Sequence, residues 1–167
     1  MFNGFDNDMI DFFWALRFNN NRPWFQEHKQ TYVEKIYEPM KELARQVCCG
    51  MEERYKLETA WKCSRIYRDA RRPQPEGPYR DHLWFVLAEQ ERWTMAPTFY
   101  AEISAEGITY GFGNYCSPPE FMKNVRAAID ANPAKIERMV RAFERDGTFG
   151  VDGACYKRPK GHVSELL

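Results

Sequence analysis

The chain has 167 residues, 44% of them hydrophobic, 16% aromatic and 29% charged, with 24 basic side chains against 24 acidic ones. That balance excludes a disordered chain, which needs low hydrophobicity and a large charge of one sign, and it removes any global attraction to nucleic acid or anionic lipid. No stretch approaches the roughly 20 apolar residues of a membrane span, and the start MFNGFDNDMIDFF lacks the basic and apolar regions of a secretion signal.

In chain order, DNDMIDFFWALRFNN places Asp6 to Asp8 ahead of Met9, Phe12, Phe13 and Leu16, the capped apolar face of a first helix. Asn19, Asn20 and Asn21 interrupt it, because asparagine tolerates the left-handed backbone that ends helices. Pro23 suits the first turn of a second helix, whose stripe of Trp24, Phe25, His28, Tyr32 and Ile36 runs to about Tyr37. Pro39 disfavours helix at Glu38, so a break is expected there before a third helix carrying Met40, Leu43, Ala44, Val47 and Met51.

From Trp61 the period changes to two. WKCSRIYR alternates as a strand over residues 61–68, and RPQPEGP forms a loop over 72–78. HLWFVLAE and TFYAEIS read as further strands, and the AEG turn joins the latter to ITYGFG as a hairpin. SPPE, with Ser117 as cap and Glu120 three residues on, opens a helix, and Asn132-Pro133 opens another that ends at Gly147. Helices, then an antiparallel sheet, then a helical pair define an α+β protein, expected as one domain over 1–167.

The chemistry concentrates in RIYRDARRPQPEGPYRDHL. Arg65, Arg68, Arg71, Arg72 and Arg80 face only Asp69 and Glu76 within residues 65–80 of a chain without net charge. Guanidinium groups match phosphate or carboxylate two bonds at a time. The expected ligand-binding set is Arg65, Arg68, Asp69, Arg71, Tyr79, Arg80 and His82. Arg68, Arg71 and Arg80 clamp an anion, Asp69 orients an arginine, and Tyr79 and His82 add hydrogen bonds. A solvated strand edge, where positive charge discourages edge pairing, explains the same residues equally well from their pattern alone.

A histidine such as His82 can act as a general acid or base, but no nucleophile–base motif stands beside it, so whether the protein is an enzyme is left open. The five cysteines show no metal-ligand spacing and read as reduced thiols of a cytoplasmic protein. YGFGNY lacks the full dinucleotide fingerprint and no phosphate-loop sequence occurs, so neither cofactor nor metal is expected. YKRPKGH, at 156–162, forms a second basic cluster.

NNNRPWFQEHKQTY (19–32), SRIYRDARRPQPEGPYRDHL (64–83) and YKRPKGH resemble, in that order, the signatures of domain-of-unknown-function family 2461, found in bacteria and fungi. Members show Asn-Asn-Asn-Arg-Glu-Trp-Phe, then Arg-Ile-Tyr-Arg-Asp-Thr-Arg-Phe with a nearby Pro-Tyr-Lys, and later Arg-Pro-Pro-Lys-Gly. The resemblance implies no particular reaction. It does make Asn19 to Asn21, Arg22, Trp24, Phe25, Arg65, Tyr67, Arg68, Asp69, Arg71, Pro78 and Tyr79 signature positions. Arg72 stands here where a phenylalanine is usual, Arg80 replaces a lysine, and the PQPEG loop lacks the lysine common before Pro-Tyr. Members usually continue past the position of Leu167, which implies a short version of the family domain.

A phosphorylated or other anionic small molecule is therefore the first expected partner. A protein-interaction module meeting an acidic partner is the alternative. Nucleic-acid binding, with Tyr67, Tyr79 or Trp84 stacking on bases, comes third because the net charge is zero.

Overall fold

A computed structural model describes residues 2–89 and 97–151. The chain forms two compact units, Met1–Asn114 and Tyr115–Leu167. In the first, helices α1 (Asn7–Phe18), α2 (Arg22–Tyr32) and α3 (Glu38–Tyr55) precede strands β1 (Thr59–Cys63), β2 (His82–Glu89), β3 (Thr98–Ser104) and β4 (Gly107–Gly113). The strands form an antiparallel meander in the order β1-β2-β3-β4, and the protein is α+β. In the second unit, α4 (Pro119–Ala131) and α5 (Pro133–Asp146) follow one another across Asn132.

The alternation read from the sequence decides which sheet face is buried. Leu83, Phe85 and Leu87 of β2, with Ala101 and Ile103 of β3, join Met9, Phe12, Phe13 and Leu16 of α1 in one core. Phe25, Tyr32, Ile36, Met40 and Ala44 complete it from the helical side. His82, Trp84 and Val86 lie on the opposite face of β2, half-buried. Burial pushes the Tyr32 hydroxyl far above the ordinary tyrosine range, and it raises the Cys63 thiol to about 11, as expected of a packing cysteine.

Four sequence expectations need correction. The helix does not break before Pro39: Val33–Tyr37 is a π-helical turn, and Glu38 donates its N–H to the Val33 carbonyl. Widening one turn admits a residue that has no N–H to donate without interrupting the axis. Asn19 is not left-handed (φ −124°, ψ 40°); it ends α1 with its own side chain, Nδ2 donating to the Ala15 carbonyl at 2.9 Å.

The strand expected over 61–68 stops at Cys63. Ser64 N donates to the Trp84 carbonyl at 2.7 Å, but Trp84 N donates at 3.0 Å to the Ser64 hydroxyl rather than to backbone. A serine side chain competing for a ladder bond ends regular pairing. The phase of burial switches at the same point: Trp61 and Cys63 pack on the core, whereas Ser64 and Ile66 are buried and Arg65 and Tyr67 exposed. Finally, Ser117 does not cap α4, which starts at Pro119 with Pro118 before it at φ −58°, ψ 148°. A residue preceding proline is driven to extended backbone, so Pro118 cannot be helical.

The Asn132 cap holds as read, its side chain accepting from Lys135 N, and Gly147 ends α5 left-handed at φ +66°. Among the described residues no helix is long and apolar enough to cross a membrane. YKRPKGH lies outside the described residues.

Candidate functional site

The three asparagines of the α1–α2 corner perform three different tasks. Asn19 closes α1, as above. Asn21 caps α2 by accepting from Trp24 N at 3.0 Å. Asn20 reaches across to the arginine loop: Nδ2 donates to the Tyr79 carbonyl at 2.9 Å and Oδ1 accepts from Tyr79 N at 3.0 Å. One side-chain amide thus pairs with both backbone groups of one residue, as a neighbouring strand would.

Gly77 makes that approach feasible. Its φ is +96°, and a Cβ there would stand 2.5 Å from both the Asn20 side chain and the Asn20 carbonyl. Tyr79 completes the latch by stacking on Phe25 with ring centroids 4.1 Å apart. Burial raises the Tyr79 hydroxyl, and the nearby Arg22 charge opposes the rise. The corner and the loop, 59 residues apart in sequence for Asn20 and Tyr79, are two halves of one joint.

The loop holds itself by its arginines. Tyr67 and Tyr79 form an isolated antiparallel bridge, with Arg68 N donating to the Pro78 carbonyl and Arg80 N to the Ile66 carbonyl. Arg68 Nε donates to the Tyr79 carbonyl at 2.8 Å, and its Nη2 pairs with Glu76 at 2.7 Å. Arg80 Nη1 donates to the Arg65 carbonyl at 2.7 Å and to the Tyr67 carbonyl at 3.3 Å. Asp69 accepts from Arg71 N, Nε and Nη2 at 3.1, 2.9 and 2.8 Å, while Gln74 bonds the Asp69 carbonyl. Hydrogen bonds from Arg71, helped by the charges of Arg72 and Arg65, hold the Asp69 carboxyl below the usual range.

Arg68, Arg71 and Arg80 are thus each engaged with a different internal partner. The exposed guanidinium groups of Arg65 and Arg72 make no hydrogen bond or ion pair among the described residues, yet both charges reach Asp69. Arg22, also exposed, sends its charge to the Tyr79 hydroxyl. The sequence marks Arg22 only as a signature position, and Arg72 both as a member of the arginine cluster that the loop can fold together and as a departure from the family pattern; neither stands in the expected binding set. Their signal was that they belong to the two motifs that turn out to touch.

His82 lies at the foot of the loop in a separate network. Its Nδ1 is 3.1 Å from Asp81 Oδ1, and Asp81 Oδ2 accepts from Arg17, which also pairs with Glu106 at 2.6 Å. Burial works to raise Asp81, but bonds from His82 and Arg17 outweigh it and the carboxyl is lowered. The Arg17 hydrogen bonds bring Glu106 down to about 2. Among the described residues no cluster of histidine, cysteine and carboxylates has the makings of a metal site.

An α+β unit with an asparagine corner clasping an Arg-Ile-Tyr-Arg-Asp loop is the class that fold and site define. Residues 8–165 match the family described as "Conserved hypothetical protein (DUF2461)", and the chain belongs to it. No curated protein and no solved structure matches the chain.

Proposed function

We propose that this is a cytoplasmic binding protein whose 65–80 segment takes a phosphate-bearing or other anionic ligand. Arg65 and Arg72 are the contact groups, and Arg71 is held ready beside them by Asp69. Arg68, Arg80 and Tyr79 act as the frame. His82, oriented by Asp81, is the hydrogen-bonding group at the segment's end, and no reaction is assigned to it.

One observation carries this reading. Five guanidinium groups stand against two carboxylates in residues 65–80, an excess of three positive charges in a chain of zero net charge. Two of those guanidinium groups have no bonded partner among the described residues. A sheet edge protected by charge explains them less well, since regular pairing has ended at Cys63, before Arg65 and Arg72.

The test is a thermal-shift panel of inorganic phosphate, pyrophosphate, sugar phosphates and short oligonucleotides on wild type and on Arg65→Gln with Arg72→Gln. Binding to the folded state at a hundredfold excess over Kd adds about 2.7 kcal/mol. A shift for phosphates that the double variant loses supports the reading. The absence of any shift, with both proteins folded, overturns it.

A second reading, a protein-interaction module, is favoured by a different observation. Ile108, Tyr110 and Phe112 of β4 share the sheet face of the core, being paired with Ile103, Ala101 and Phe99, yet are 52%, 66% and 60% exposed. Apolar surface of that kind marks partner contacts.

A further inference from the structure

We propose that the anion site is one half of a nucleoside monophosphate site, with the ring of Tyr67 as the platform for the base. The inference rests on the anion reading of Arg65 and Arg72 and adds the chemistry of what the anion is attached to.

Tyr67 is 48% exposed, although both of its neighbours in the joint, Phe25 and Tyr79, are buried. Its ring is braced by them, edge-on to Phe25 at 5.8 Å and tilted against Tyr79 at 5.3 Å. The brace fixes the ring while leaving half of its surface to solvent. An aromatic ring needed only for the core would be turned under, as Tyr79 is. Base–aromatic stacking asks for this arrangement, an oriented ring with an open surface.

Arg65 lies two residues before Tyr67, across a bend at Ile66, and both are exposed while Ser64 and Ile66 are buried. The cation and the ring thus reach solvent from one short segment, the first suited to a phosphate and the second to the base attached to it. Arg80 holds the carbonyls of these same two residues with a single nitrogen, so the platform and the cation are positioned as a pair. Preorganisation of this kind lowers the ordering cost of binding. Arg22 adds a third cation, exposed and with its charge felt at the hydroxyl of Tyr79, the ring on which Tyr67 leans.

Isothermal titration of the full chain with adenosine 5′-monophosphate, ribose 5-phosphate and inorganic phosphate tests the proposal. Adenosine 5′-monophosphate is expected to bind about 5- to 150-fold more tightly than ribose 5-phosphate, the range that one stacked base provides. Tyr67→Leu should erase that preference and leave phosphate binding intact. Tyr67→Phe, which keeps the ring and its packing, should retain it, and Arg65→Gln should weaken all three probes together.

Equal affinity for all three probes overturns the nucleotide inference and leaves the anion reading standing. A preference for adenosine 5′-monophosphate that survives Tyr67→Leu also overturns it, because the base then sits elsewhere. Failure of every probe to bind overturns both.

Discussion

Two sets of residues in the signature loop use the same side chain in opposite ways. Arg68 and Arg80 donate to backbone carbonyls, and Asn20 pairs with both backbone groups of Tyr79. Arg65 and Arg72 are exposed, and among the described residues their guanidinium groups have no bonded partner, while Arg71 is tied to Asp69 at the surface. A run of arginines in one motif is therefore not one site. Those bonded to carbonyls build the loop, and those left over give it its charge.

The comparison can be broken hardest at the joint. Phe25→Ala removes the ring on which Tyr79 stacks and should destabilise the protein by about 3–5 kcal/mol, read by urea denaturation. Asn20→Ala strips two bonds from the Tyr79 backbone and is expected to lower stability by about 1–3 kcal/mol. Gly77→Ala should fall in a similar range, about 1–3 kcal/mol, through its positive φ and the collision with Asn20.

Acid titration sharpens the contrast at a third place, the Arg17 network. Glu106 and Asp81 have folded pKa values below their unfolded ones, so the stability they contribute is complete above the unfolded value. It is lost as pH falls toward about 2, where Glu106 takes its proton. The melting temperature should drop across that acid window, and Arg17→Met should shallow the drop. Smallest in stability are the exposed cations: Arg65→Gln and Arg72→Gln should each shift unfolding by no more than about 0.5 kcal/mol. The same two variants should nonetheless abolish any thermal shift produced by phosphates. A large loss of stability instead would place them with Arg68 and Arg80.

Most of the architecture was legible because it depends on periodicity. The apolar stripe of α1, the alternation in β2 and β3 and the Asn132 and Gly147 caps act locally, and a local pattern can be read from a line of letters. The failures had two sources, a side chain taking over a backbone role and a proline imposing its own geometry, as before Pro39 and at Pro118. Ser64 replaces a ladder acceptor, Asn19 closes a helix without a left-handed turn, and Pro118 surrenders the cap because another proline follows it.

The site was legible as a concentration of charge and illegible as geometry. Nothing in RIYRDARR tells which guanidinium meets a carbonyl, since Arg68 donates to the carbonyl of the remote Tyr79, which Asn20 also secures, and the Arg65 and Tyr67 carbonyls are taken by the remote Arg80. The family resemblance did single out both halves of the joint, and their contact explains why residues so far apart belong to one signature.

The π-helical turn before Pro39 has a consequence best counted in angles. Tyr32, Ile36, Met40 and Ala44 are all buried and follow one another every four residues. In an unbroken α-helix each residue turns about 100°, so twelve residues would leave Ala44 about 120° away from Tyr32. One extra residue taken up by the wide turn cancels about 100° of that drift and returns the four side chains to a common side. The turn therefore works as a phase corrector for a sequence written in steps of four. Deleting one residue between Val33 and Tyr37 should therefore straighten the helix and still leave Ala44 about 20° from Tyr32, whereas forcing the full-length segment into an unbroken α-helix would swing Met40 and Ala44 about 100° away from the sheet.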